Sequence, residues 1–260
     1  MKRFFQNIRK YCKYAIYSAK AELKSEVANS YLGWLWWILD PVCFMLIYTF
    51  IVEIVFNASE PYMPIFVFLG LTVWNFFNKV VSGSVKLVPS NKGIVTKVYL
   101  PKYIILLSKS FAFLFKMGIS FGIVAIMMLI YNVPFAISLL HFLPILFVLY
   151  VVTFGIGSIL LHFGVFVEDL NNITTILLKL TFYLSGIFYV IGTRVPQPYG
   201  TYLLRGNPAA FLIDSFRNIF LYGTGPSYMW LAIWFLIGSL FIMIGVNLIH
   251  KYENSYVKVV

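Results

Sequence analysis

Charge is what this sequence has least of. Only 11% of its 260 residues are Asp, Glu, Lys or Arg, whereas a soluble domain carries about 25%. A water-facing surface of the ordinary kind is therefore excluded. The two cysteines, Cys12 and Cys43, have no metal-ligand company, and His141, His162 and His250 stand in no metal-ligand spacing, so no metal site is expected. The phosphate loop G-x-x-x-x-G-K-[ST] is absent, so the chain cannot itself bind and split ATP by that mechanism. No serine or cysteine lies in a nucleophile motif. The first apolar block begins after about 34 basic and amphipathic residues and lacks a small-residue cleavage site, so the N-terminus is expected to be retained. Internal repeats and low-complexity segments are lacking too.

What is present is apolar and continuous: 61% of the residues are hydrophobic. Six blocks approach or exceed the roughly 18 residues that cross a bilayer as a helix. They are Leu35–Phe56, Pro64–Val81, Ile104–Tyr131, Phe142–Val167, Ile173–Ile191 and Trp230–Ile249. Membrane β-barrels need alternating strands of about 10 residues, and runs such as FLPILFVLYVVTFGIGSILL do not alternate. The expected fold is all-α and polytopic, with six transmembrane helices.

The net charge of +11 is read as topology rather than as a nucleic-acid surface. With the N-terminus in the cytoplasm, thirteen of the twenty Lys and Arg fall in cytoplasmic segments, and only Arg194, Arg205 and Arg217 fall outside. That asymmetry follows the positive-inside rule and places both termini in the cytoplasm.

Residues 1–29 are expected to form an amphipathic interfacial helix, ahead of a transmembrane region over 30–260. Phe4, Ile8, Tyr11, Ala15, Ala19 and Leu23 recur at three- and four-residue steps, with Arg9, Lys13, Lys20 and Lys24 on the opposite face. The alternative is a basic flank that only sets topology. Trp34, Trp36 and Trp37 suit the headgroup level, and Asp40-Pro41 predicts a kink or a helix start. In the cytoplasmic segment 84–103, Ser90-Asn91 supplies a helix start, and Ile94, Val95 and Val98 are placed on one face with Lys97 elsewhere. A partner contact and a solvated connector both fit that pattern. Between the fifth and sixth blocks, segment 194–222 is expected to re-enter the outer leaflet. Asn207 caps a helix begun by Pro208. Leu212, Phe216 and Ile219 line one face of it, and Asp214 is expected to pair with Arg217 at i,i+3. Asn57-Ala58-Ser59 matches a glycosylation triplet, of a kind that chance often supplies.

Charges inside spans cost about 2.5–3.5 kcal/mol each at a helix centre. Lys109, Lys116 and Lys179 are therefore candidates to meet anionic groups of a substrate, with Trp34, Trp36, Trp37 and Asp40 along the same path. The competing reading pairs the lysines structurally or lets Lys109 and Lys179 snorkel to the surface.

Glu22-Leu23-Lys24 through Tyr31-Leu32-Gly33-Trp34-Leu35-Trp36 to Pro41 resembles a pattern of the transmembrane subunits of type-2 ABC exporters for teichoic acid, O-antigen and capsular polysaccharide. Lys97-Val98-Tyr99-Leu100-Pro101, Phe166 through Asp169-Leu170, and Asn207-Pro208 with Arg217 resemble three further elements of that family, in the same order. The resemblance covers nearly the whole chain. It implies a homodimer in a bacterial plasma membrane, served by two copies of a cytoplasmic ABC ATPase that would bind the ATP and Mg, with no cofactor in this chain. It implies that Asn91, Ile94, Val95, Lys97, Val98 and Tyr99, with Glu168, Asp169 and Leu170, couple to that ATPase. Asn207, Pro208, Phe216 and Arg217 would belong to an outer gate. Glu168 departs from the family, many of whose members carry arginine there. The implied substrate is an undecaprenyl-linked polysaccharide, and the Glu22–Pro41 stretch favours wall teichoic acid. The 26 Phe and 18 Tyr suit a path for sugar rings. A drug or small-lipid exporter of the same superfamily and a membrane-bound transferase remain as alternatives.

Overall fold

The computed structural model describes residues 2–28, 30–55, 60–253 and 255–256. The Asn57-Ala58-Ser59 triplet lies outside them. All regular structure among the described residues is helical. Helix α1 spans Lys2–Ala28, and a short 3-10 turn at Gly33–Leu35 leads into α2, Trp36–Thr49, which continues as a π-helical turn over Phe50–Val55. Then follow α3 (Met63–Val85), the short α4 (Leu87–Ser90) and α5 (Lys92–Lys97), α6 (Lys102–Ile130), a 3-10 turn at Ile137–His141, α7 (Phe142–Phe166) and α8 (Leu170–Leu184). Three further short helices, α9 (Ile191–Arg194), α10 (Tyr199–Gly206) and α11 (Pro208–Phe220), precede α12 (Tyr228–Lys251). Helix α2 passes through Pro41 without ending there.

Among the described residues, five helical stretches are long and apolar enough to cross a membrane: Gly33–Val55, Met63–Val85, Lys102–Ile130, Ile137–Phe166 and Tyr228–Lys251. The sixth predicted span, Ile173–Ile191, is helical only to Leu184, so α8 holds 15 residues, about 22 Å of rise. Ser185 ends the helix and Gly186 adopts φ +63°, a left-handed conformation that an L side chain resists. Hydrophobicity continues past this point, but the helix does not.

Helix α3 is the centre of the bundle. In its most apolar stretch 78% of residues are buried, against 11% in Gly33–Val55. It packs against α2, α6, α7 and α11, while α12 lies along α7 and α1 along α6. The α7–α12 pair approaches closely because Gly155 and Gly238 face each other. A Cβ at Gly155 would stand 2.6 Å from the Gly238 carbonyl oxygen. Small residues at such a crossing let two backbones pack where lipid offers no hydrophobic drive to associate.

The predicted stripe on the N-terminal helix is real, but much of it is turned to protein. Phe4, Ala15 and Ala19 are buried, and Phe4 and Ala15 belong to the main core with Ile8 and Tyr11 packed on it. Phe5, Ile16 and Tyr17 remain exposed on other faces.

Candidate functional site

Two ends of the bundle and one cavity between them carry the candidate residues. At one end, the C-terminus of α3 meets that of α7, since Gly164 abuts the Val85 backbone. The segment α4–α5 and the α7–α8 turn therefore share this end, hereafter the α5 end. Val95 is buried and anchors α5, whereas Ile94, Lys97, Val98 and Tyr99 are exposed. The expectation that Ile94, Val95 and Val98 share one face is thus corrected: 94 and 98 are four apart and align, but 95 is a residue out of step and points to the core. Asn91 does not cap α5 with its side chain; its Nδ2 donates back to the Leu87 carbonyl at 2.8 Å. Glu168 and Asp169 are exposed and Leu170 half-buried at the start of α8.

The same end holds a polar cluster that sequence reasoning did not anticipate. Arg3 Nη2 donates to the Tyr99 hydroxyl (2.7 Å) and to Glu253 Oε2 (3.4 Å), and the Tyr99 hydroxyl donates to the same Glu253 oxygen (3.2 Å). Asn7 Nδ2 donates to the Tyr103 hydroxyl at 2.8 Å. The Tyr256 hydroxyl meets His162 Nδ1 at 2.7 Å. Burial pushes the Tyr256 phenol above its usual range, helped by the Glu253 carboxylate.

At the opposite, α11 end, the predicted cap forms. Asn207 Oδ1 accepts from the backbone N–H of Ala209 (3.0 Å) and Ala210 (3.4 Å), and its Nδ2 donates to Ser185 Oγ at 3.0 Å. Pro208 fills the first helical position. Leu212, Phe216 and Ile219 are buried, but so are Phe211, Ile213 and Phe220, so burial is not confined to the predicted face; Phe216 packs against Phe121 and Phe142. The Asp214–Arg217 ion pair does not form among the described residues. Arg217 is 3% exposed and donates to backbone carbonyls: Gly186 at 2.7 Å, Ile187 at 2.7 Å and Phe66 at 3.0 and 3.2 Å. Asp214 instead accepts from Asn218 at 3.1 Å. The break after α8 leaves carbonyls without helical partners, and a guanidinium with five donors satisfies them better than it serves a neighbouring acid.

Between the ends, a cavity of about 780 Å³ is lined by Trp36, Trp37, Asp40, Lys109 and Lys116 together with Glu22, Glu26, Tyr48, Asn75, Asn78, Lys79 and Phe182. Five of the seven path candidates thus come together. Trp34 and Lys179 lie exposed and outside this lining. Lys109 and Lys116 are paired, Lys109 with Glu22 at 3.8 Å and Lys116 with Glu26; Lys116 also faces the Trp37 ring at 5.8 Å. Lys79 and Asp40 enter no ion pair among the described residues and are exposed to the cavity. Lys79 was missed as a candidate, although Asn75, Asn78 and Lys79 form a three- and four-residue polar stripe in an apolar span. A second cavity of about 680 Å³ is lined by Tyr48, Ile51, Val52, Glu60, Phe188, Tyr189, Arg194 and Val195. Tyr48 borders both, and its ring stacks on Phe188 at 4.4 Å. No group of three or more metal-ligating side chains occurs among the described residues.

No family model matches the chain. It is similar to curated proteins over most of its length. A Klebsiella pneumoniae O-antigen export system permease protein RfbA is 26% identical, with 92% of this chain and 91% of the relative covered. The Myxococcus xanthus RfbA is 26% identical over 85% of each. The Escherichia coli polysialic acid transport protein KpsM is 25% identical over 85% of this chain and 87% of its own.

Proposed function

We propose that this chain is the permease subunit of a type-2 ABC exporter for polysaccharide, acting as a homodimer with two copies of a cytoplasmic ATPase in a bacterial plasma membrane. What carries the reading is the likeness to polysaccharide export permeases across 85–92% of the chain, in a helical membrane protein that lacks a phosphate loop of its own. The energy must then come from outside the chain. The exposed Ile94, Val98 and Tyr99, at the same end of the bundle as the Glu168–Leu170 turn, form a surface suited to receive an ATPase. Nucleotide-driven movement there would shift α3 and α7, whose ends meet at this surface, and open a path.

The path we assign follows the face of α2, α3 and α8. The first cavity offers Lys79, which enters no ion pair among the described residues, to the phosphate groups of a lipid-linked substrate, while Lys109 and Lys116 are held by Glu22 and Glu26. Tyr48, Phe188, Phe182 and Trp74 continue from it as a ladder of rings. Aromatic faces accept sugar rings without demanding one linkage, which suits passage of a repeating polymer. The substrate class we favour is undecaprenyl-linked polymer, and within it wall teichoic acid, on the character of the Glu22–Pro41 stretch.

Reconstitution of the chain with its ATPase in vesicles is the direct test. ATP-dependent appearance of lipid-linked teichoic acid on the far side, abolished by a phosphate-loop variant of the ATPase, is expected. Equal transport of O-antigen with none of teichoic acid would remove the polymer assignment. Polymer movement with no nucleotide-splitting partner present would remove the exporter reading itself.

A further inference from the structure

Helix α1 is tied at both of its ends, and to different things. Its first turn is joined to the α5 end through Arg3, Tyr99 and Glu253. Its last turns are joined to the cavity wall through Glu22 to Lys109 and Glu26 to Lys116. The rise from Arg3 to Glu26 is about 34 Å of continuous helix. We propose that α1 is a lever: Glu253 and Arg3 latch the Tyr99 segment to its base, and displacement of that segment is delivered along the helix to the lysines of the cavity.

The latch has the chemistry for this. Tyr99 lies two residues beyond α5 and its ring is exposed, so a partner pressing on α5 reaches it first. Its hydroxyl is held between a guanidinium and a carboxylate, and hydrogen bonds to charged groups are worth more than neutral ones. The Arg3 side chain is 55% exposed, so the Arg3–Glu253 pair alone would be weak in water. Glu253, however, is 8% exposed, and its Oε1 has no hydrogen-bond partner among the described residues. A buried carboxylate that depends on two donors resists losing either. The segment and the helix base therefore move together. At the other end, Lys109 and Lys116 are seven residues apart on α6, so both contacts fall on one face and a shift of α1 moves both carboxylates relative to the cavity.

The proposal rests on the reading of α5 as the ATPase contact, and the test separates the two. The full complex of this chain with its co-purifying ATPase is reconstituted, and polymer exported per ATP hydrolysed is measured. Tyr99→Phe removes one hydroxyl from an exposed ring, so folding is not at stake. Arg3→Glu breaks the ion pair, and Arg3→Glu with Glu253→Arg restores it in reverse. Hydrolysis is expected to continue in Tyr99→Phe and Arg3→Glu while export per ATP falls about fivefold or more, the lower range of coupling between sites. The charge swap is expected to recover most of the loss, which a merely structural role for either residue would not produce through the coupling ratio. An unchanged ratio in Tyr99→Phe, or a swap no better than Arg3→Glu alone, overturns the lever. A wild-type complex with no ATP-dependent export overturns the reading beneath it instead.

Discussion

Gly70 lies directly against the Arg217 guanidinium: a Cβ at residue 70 would stand 2.8 Å from Nη2 and 3.3 Å from the Ile187 carbonyl oxygen. The absence of a side chain on α3 is what lets Arg217 reach across from α11 to the broken end of α8. Three elements are thereby fastened by one residue, and the aromatic group around Phe216 is fixed with them.

Gly70→Ala should therefore behave like loss of the arginine. Both Gly70→Ala and Arg217→Ala are expected to lower stability by about 1–3 kcal/mol for each buried carbonyl left without a donor. The unfolding midpoint of the purified chain in detergent measures this. Gly118→Ala is the control. Nothing lies within 4 Å of a Cβ there, and in a helix the change should be neutral or stabilise by up to about 1 kcal/mol. Equal midpoints for Gly70→Ala and Gly118→Ala would mean that Arg217 does not bridge the three elements.

The surface at the α5 end yields a sharper contrast. Ile94 is 38% and Val98 55% exposed, while Val95 is 4% exposed. Ile94→Asp and Val98→Asp should leave the isolated chain within about 0.5 kcal/mol of its normal stability. The same variants should lose the ATPase on co-purification, because an acid in an apolar contact is desolvated without a partner. Val95→Asp should instead unfold the chain. If all three variants retain the ATPase and the fold, this face is not the docking surface.

What could be read from sequence, and what could not, divides by range. The Asn207-Pro208 cap was legible because both partners lie within three residues. The partner of Arg217 was not. Spacing along α11 nominates Asp214, but the acceptors belong to Phe66 and Gly186, separated from Arg217 by 151 and 31 residues. The end of α8 was hidden for a related reason: apolar residues continue through Ile191, and only the Ser185-Gly186 pair hints that the helix stops. In the cavity, sequence nominated lysines by their cost in the membrane. It could not say that Lys109 and Lys116 would find Glu22 and Glu26 on the N-terminal helix while Lys79 would not.

That difference predicts different behaviour for the three lysines. Lys116→Glu should destabilise the α1–α6 contact, and Glu26→Lys with Lys116→Glu should restore it, as measured by protease resistance of the N-terminal helix. Lys79→Ala should leave that contact untouched and lower export of an anionic lipid-linked substrate about two- to fivefold, the worth of a solvent-screened charge contact. Lys179→Ala, outside the cavity, should export normally. If Lys79→Ala exports at the normal rate at matched protein level, the cavity does not meet the substrate's charge.

Orientation is the last consequence, and it follows from the basic bias and the two ends together. Thirteen Lys and Arg in the predicted cytoplasmic segments against three outside predict that the α5 end faces the cytoplasm and the α11 end the exterior. Lys97, Asp169 and Thr224 are all exposed, so each can be replaced by cysteine without disturbing the core, in a Cys12→Ser, Cys43→Ser background. A membrane-impermeant maleimide should label Thr224→Cys on intact cells. It should label Lys97→Cys and Asp169→Cys only in inverted vesicles. Labelling of residues 97 and 224 from one side would mean that the two ends are not on opposite faces of the membrane. Labelling of 97 from outside would deny the α5 surface to any cytoplasmic ATPase, because no partner in the cytosol could then touch Ile94 or Val98.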